Sequence, residues 1–402
     1  MVYRMSAILA LMLTAAPLPA AQLFDLTPES PDRRRVYETG GHGVEPSRDE
    51  RGFLFSTALP EGDYRVTLTL GGRQAGDTTV KAEARRMMLN HVVTRPGETV
   101  ERSFLVNVRT PALTPPPANA PGGRTVRVDA RDMLEYTWDE KLTLEFLGKP
   151  VVQSVRIEPA HAPTIFLAGD STVTDQYAEP AASWGQMLPA MLDDAVIVAN
   201  HAKSGATLKS FLTDLRFDKL LAGMKAGDWL FIQFGHNDQK AEWPQTYADA
   251  ATTYPAYLRA YIAEARRRGA LPVLVTSPER RNFDEAARIK DTLGAYAAAV
   301  RKVAADEQVP LIDLNADSRA IYEALGPDVA PTIFNDGGKD KTHHDNAGAW
   351  LLARAVAERI RAQVPTLAGH VVASAFIPSR PQLDGVSIVP SLIRSDQRPA
   401  GN

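Results

Sequence analysis

Ser171 follows a short apolar run, Thr164 to Ala168, that breaks at Gly169 and Asp170. A serine delivered where such a strand must turn stands in the crevice outside the carboxyl ends of an α/β sheet, where ligands bind. Its chemistry there would be nucleophilic attack on an acyl carbon. That reaction needs a base for the hydroxyl proton, a group that orients the base, and donors for the oxyanion. The segment Asp340-Lys341-Thr342-His343-His344-Asp345 offers the first two. Residues three apart share a face in a helical turn, so Asp340 can hold one ring nitrogen of His343 and leave the other for Ser171. On residue type alone His344 could be the base instead; the spacing to Asp340 favours His343. Oxyanion donors have to be rigid and lie at neighbouring strand ends. Gly205, in Asn200-His201-Ala202-Lys203-Ser204-Gly205, would let its backbone N–H approach a substrate closely. The Asn237 amide, in Phe234-Gly235-His236-Asn237-Asp238, is a second donor. Asp170 is then a support for the serine loop, and the acid of the triad is Asp340.

The elements that must position these residues are strands alternating with helices. Apolar runs at Ile165-Phe166-Leu167, Val196-Ile197-Val198, Trp229 to Ile232, Pro272 to Val275 and Pro310 to Asp313 read as buried strands. Stretches from Tyr254 to Arg268, Gly294 to Asp306 and Ala347 to Val364 carry apolar residues at helical spacing. The alternation predicts an α/β domain over 161–366, a flavodoxin-like parallel sheet with helices on both faces. Before it, the period is two rather than 3.6, as in Tyr64 to Leu70 and Lys141 to Phe146, with further candidate strands at Thr78 to Ala84, Val100 to Val108, Thr125 to Val128 and Val151 to Ile157. Short strands at this spacing predict an all-β sandwich over 22–160. The proline-rich Thr114 to Gly123 reads as a long loop within it. A tail, 367–402, with little periodicity is expected to wrap the surface or return to the sandwich.

A chain of 402 residues with 44% hydrophobic and 23% charged residues is long enough to bury two cores. A net charge of -3 and the lack of a long basic run argue against nucleic acid or anionic lipid as partners. With no cysteine, disulfides, thiolate catalysis and Cys-ligated zinc are excluded. Residues 1–21 have a charged start, an apolar run from Ala7 to Ala16 and small residues at Ala20-Ala21, the layout of a secretory signal. The expectation is a secreted or periplasmic protein with no membrane attachment once the signal is removed. Its oligomeric state is left open.

Gly169-Asp170-Ser171, Gly205, Gly235-His236-Asn237-Asp238 and Asp340-x-x-His343, in this order, resemble the SGNH or GDSL-type hydrolases. Gly169-Asp170-Ser171-Thr172-Val173, Trp184-Gly185-Gln186, Ile232 to Asp238, Arg280-Arg281-x-Phe283 and Val309 to Leu314 resemble, within that group, the rhamnogalacturonan acetylesterases of carbohydrate esterase family 12. The resemblance covers about Ala162 to Ile360. It implies Ser171 as nucleophile, His343 as base, Asp340 as its partner, and an oxyanion hole of the Ser171 and Gly205 N–H groups with the Asn237 side chain. It also implies removal of acetyl groups from a pectic polysaccharide or oligosaccharide without metal or organic cofactor. His236, Arg280, Arg281 and Trp184 become candidates for substrate contact, with a buried packing role an equal alternative for Trp184. The sandwich resembles, more loosely, galactose-binding modules. Competing readings are an acetylxylan or other SGNH esterase, a lipolytic enzyme, for which no apolar lid is evident, and a non-catalytic carbohydrate-binding protein. A metal hydrolase built on His343, His344 and Asp345 is disfavoured, because adjacent histidines on a loop converge poorly on one ion.

Overall fold

The computed structural model describes residues 20–46, 51–114, 123–134 and 136–393. The segment expected to be a signal therefore lies almost wholly outside the described residues, as does most of the proline-rich loop. The first part of the chain forms β1 (Gln22–Asp25), β2 (His42–Val44), β3 (Gly52–Ala58), β4 (Gly62–Gly71), β5 (Gly76–Ala82), β6 (Arg86–Thr94), β7 (Thr99–Val108), β8 (Lys141–Lys149) and β9 (Val152–Pro159). They pair antiparallel in two sheets, ordered β1-β9-β4-β7 and β2-β3-β8-β5-β6. Alternation sets the packing, since successive side chains point to opposite faces. Tyr64, Val66, Leu68 and Leu70 of β4 meet Leu142, Leu144 and Phe146 of β8 in one apolar core between the sheets.

Thr125 to Val128 is not a strand. Thr125 makes only an isolated bridge with Ala112, and the Arg127 N–H donates to the Asp214 carbonyl. Here the chain has left the sheet: Leu113, Val126 and Trp138 form a small cluster against Leu215 of the second domain. A four-residue alternation cannot distinguish a strand from a segment pinned by two apolar residues to a neighbouring surface.

The second domain has β10 (Thr164–Gly169), β11 (Ile197–Asn200), β12 (Trp229–Gln233), β13 (Leu271–Val275) and β14 (Leu311–Ile312), all parallel, in the order β11-β10-β12-β13-β14. That is the flavodoxin-like order. The strands read as unbroken apolar runs because both faces are covered. Ile165, Leu167, Trp229, Phe231, Val273 and Val275 pack against helices Leu314–Val329 and Asn346–Gln363. Phe166, Ala168, Leu230, Ile232 and Leu274 pack against helices Leu208–Thr213, Arg216–Gly223, Thr253–Arg267 and Gly294–Glu307. The tail returns to the sandwich: the Ser391 hydroxyl donates to Glu145 at 2.7 Å, and the Asn90 amide donates to the Ser387 carbonyl at 3.2 Å. Among the described residues no helix is long and apolar enough to cross a membrane.

Candidate active site

Strand β10 ends in a turn that only a small residue can begin. A side chain on Gly169 would come within 2.6 Å of Val173 and 3.0 Å of the Gln233 carbonyl. Asp170 then organises the turn from the inside. Its Oδ1 accepts the Thr172 N–H at 3.0 Å and hydroxyl at 2.9 Å, and its Oδ2 lies 3.3 Å from His236 Nδ1. The result is that Ser171, only 3% exposed, faces the 340–344 loop rather than water. His343 Nε2 is 2.7 Å from Ser171 Oγ, and His343 Nδ1 is 2.9 Å from Asp340 Oδ2.

The physical reason for the Asp340–His343 pairing differs from the expected helical turn. This loop is not helical; Asp340 Oδ1 accepts the backbone N–H groups of Thr342 at 2.8 Å and His343 at 3.0 Å. Such an Asx turn fixes the carboxylate and leaves its other oxygen for the imidazole. Burial by itself would raise the Asp340 pKa; the hydrogen bond and charge of His343 and the two backbone bonds instead hold it well below the usual carboxylate value. An ionised Asp340 makes Nδ1 of His343 the donor and leaves Nε2 as an acceptor for the serine proton.

The choice between the two histidines is decided by where they point. His344 is buried between the Phe334 and Tyr322 rings, and its Nε2 is 2.7 Å from the Tyr322 hydroxyl. Burial pushes its pKa down to about 3. Asp345 turns away again and caps the next helix through the Gly348 N–H at 2.9 Å. The three residues considered as a metal site thus have separate partners, and no group of three or more potential ligands converges among the described residues.

The strands flanking β10 deliver the other donors. Gly205 has φ +80° with nothing within 4 Å of the position its side chain would take, so backbone conformation and not crowding calls for glycine. Among the described residues neither the Ser171 nor the Gly205 N–H has an acceptor. Asn237 Nδ2 donates to the Ala206 carbonyl at 3.1 Å, and an amide has a second hydrogen to give. Asp238 ties the two loops together, accepting the Leu208 N–H at 2.9 Å and the Gly235 N–H at 3.0 Å.

A polarised serine, an oriented imidazole and unspent donors at neighbouring strand ends suit acyl transfer. Comparison with known proteins agrees. Residues 167–351 match the model of the GDSL-like lipase/acylhydrolase family. The rhamnogalacturonan acetylesterase RhgT of Bacillus subtilis is 40% identical over 221 residues, covering 52% of this chain and 94% of that protein. The chain belongs to the GDSL-like lipase/acylhydrolase family. The rhamnogalacturonan acetylesterase of Emericella nidulans is 27% identical over 215 residues, 49% of this chain and 84% of that protein. The uncharacterized esterase YxiM of Bacillus subtilis is 27% identical over 350 residues, 83% of each chain. The crystal structure of YxiM shares the fold at a TM-score of 0.50, with 23% identity over 85% of this chain and 98% of that one.

Two of the four residues expected to touch substrate, Trp184 and Arg281, are interior supports. Trp184 is fully buried, and its indole N–H donates to Gln233 Oε1 at 2.8 Å, which steadies the end of β12. Arg281 lies over the Phe334 ring and donates to the Gly338 carbonyl, propping the Asp340 loop from behind. His236 is buried beside Asp170; burial pushes its pKa down, outweighing the pull of that carboxylate, and its Nε2 has no partner among the described residues. Arg280 is half-buried and donates to the His236 carbonyl at 3.3 Å. Sequence reasoning missed the Asp170–His236 contact and the role of Gln176, whose amide donates to the Ser171 carbonyl at 2.6 Å. Neither has a local signal, since both depend on side-chain direction.

Proposed function

We propose that the chain is an exported serine esterase that removes O-acetyl groups from a pectic polysaccharide, rhamnogalacturonan being the preferred substrate. The observation that carries this reading is the 2.7 Å contact of His343 Nε2 with Ser171 Oγ, backed by Asp340 at 2.9 Å. The kinship with rhamnogalacturonan acetylesterases supports the substrate, and the layout of residues 1–21 supports export.

In the proposed reaction His343 takes the Ser171 proton as Oγ attacks the acetyl carbonyl. The Ser171 and Gly205 N–H groups and the Asn237 amide receive the oxyanion, which each donor stabilises more than it does the ground-state carbonyl. Asp340 remains a carboxylate and stabilises the imidazolium formed. As the tetrahedral intermediate collapses, the C–O bond to the sugar breaks and His343 returns the proton to the sugar oxygen. Water then attacks the acetyl-enzyme with His343 again as base; the bond from the acetyl carbon to Oγ breaks, His343 returns the proton to Ser171, and acetate leaves. No step calls on a metal or an organic cofactor.

The test is acetate release from acetylated rhamnogalacturonan, acetylated xylan and a triglyceride at equal ester concentration. Faster release from rhamnogalacturonan is expected. Preference for xylan would move the substrate within the carbohydrate esterases, and preference for the triglyceride would contradict the reading.

A further inference from the structure

The turn between β5 and β6, residues 83–85, with the first residues of β6, belongs to the sandwich by sequence but is buried against the hydrolase domain. Glu83 and Arg85 in this turn have φ of 55° and 63°, a left-handed conformation that side chains tolerate only where their surroundings fix it. Arg85 and Arg86 are each 1% exposed. Arg85 Nη1 donates to the Gln176 carbonyl at 3.0 Å and the Ala181 carbonyl at 2.9 Å, while Nη2 is 2.7 Å from Glu179. Arg86 Nε pairs with Asp175 Oδ2 at 2.6 Å. The contact is answered from the other side, where the Gln186 amide donates to the Ala84 carbonyl at 2.7 Å and the Gln176 carbonyl at 2.9 Å. Met87 is part of the apolar core that holds Trp184, Leu167 and Val173.

What the two guanidinium groups hold is the nucleophile's own segment. Gln176, whose carbonyl receives Arg85, donates its side-chain amide to the Ser171 carbonyl. Asp175, paired with Arg86, also accepts the Asn200 amide at 2.8 Å at the end of β11. At the far end of the segment the Ala182 N–H donates to the His344 carbonyl at 2.9 Å, one residue from His343. A planar fork that grips two carbonyls and a carboxylate at once fixes direction as well as distance, which an ammonium cannot do.

From this geometry we infer that the sandwich is part of the scaffold of the esterase site, with Arg85 and Arg86 as positioning residues that act on Ser171 through Asp175 and Gln176. The inference rests on the reading of Ser171 as nucleophile. It assigns the sandwich a role in turnover on any acetyl ester, including one with no sugar to bind.

The experiment uses the full chain and p-nitrophenyl acetate. Arg85→Lys keeps a positive charge beside Glu179 but loses the fork, and Gln176→Ala removes the link to Ser171 without touching the sandwich. Each should lower kcat by about 10-fold to 100-fold, the scale of a small misplacement of reacting groups, with KM changed by no more than about twofold and the near-UV circular dichroism retained. Labelling of Ser171 by a fluorophosphonate should slow by a similar factor. Because both substitutions act on one chain of contacts, the double variant should be little worse than the poorer single one. Wild-type kcat in Gln176→Ala, or in a folded Arg85→Lys, overturns the inference, as do fully additive effects. Ser171→Ala in the same assay separates the two claims: if it keeps turnover the nucleophile is wrong, and if it is inactive while the other variants are normal only the positioning role fails.

Discussion

Two buried ionic systems flank Ser171, and they are built in opposite ways. On one side the Asp340–His343 pair is made within one short loop, where the Thr342 and His343 N–H groups and the His343 ring hold the carboxylate and Asn335 Nδ2 lies at a longer 3.5 Å. On the other, Arg85 and Arg86 reach the serine segment across 89 to 96 positions of sequence, from a different domain. The first system places the proposed proton acceptor and orients it chiefly through neighbours in sequence. The second has no chemistry of its own and matters only through what it holds still. A group that handles protons and a group that only positions should therefore fail differently when altered.

The largest effect belongs to the first system. His343→Ala should lower kcat on p-nitrophenyl acetate by about 10⁴-fold or more, the scale seen when a member of such a unit is lost, with little change in thermal stability. His344→Gln should keep most of the activity; if the ranking came out reversed, the base would have to be reassigned. Asn237→Ala, which removes one of the proposed oxyanion donors, should cost about 10²–10³ in kcat, measured under saturating ester.

The second system predicts losses of stability. Glu179 is held down at a pKa of about 2, because Arg85 and Lys81 outweigh a burial that would raise it. Glu179→Gln would leave those two buried cations without their carboxylate, and breaking such a system typically destabilises by about 3–5 kcal/mol. Urea unfolding followed by circular dichroism checks this, and an unchanged midpoint would show that the interface carries little. The smallest effect concerns pH. His344 binds its proton only near pH 3 in the fold, but near 6.5 in the unfolded chain. Between those values the unfolded chain holds the extra proton, so stability falls as the pH falls. His344→Gln should remove this share, about 3 kcal/mol between about pH 7 and about pH 4, read as a shallower pH dependence of unfolding free energy.

The difference between the systems also explains what could be read in advance. The parallel sheet was legible because both-face burial writes strands as apolar runs, and Ser171, Asn237, Asp340 and His343 were legible because each sits at a strand end or in a short loop. Even there the helical explanation of Asp340 and His343 was wrong, since an Asx turn gives the same spacing. Residue type does not give direction, which is why Arg281 was expected at the substrate and instead faces inward, while of the two roles open to Trp184 the packing one is observed. Strand β6 escaped notice because its pairing with β5 shifts register between Thr78 and Val80 and again between Val80 and Lys81, which breaks the alternation. The contacts of Arg85 and Arg86 have no local signature at all; they exist only once two domains have folded against each other.

The central claim is that Ser171 carries the acyl group, and covalent labelling tests it most directly. The full chain is treated with a fluorophosphonate, residual esterase activity is followed, and the modified peptide is located by mass spectrometry. The account predicts one adduct per chain, on Ser171, formed in step with the loss of activity and suppressed in His343→Ala. An adduct on another residue that tracks the loss, or full activity in protein labelled completely at Ser171, would contradict it.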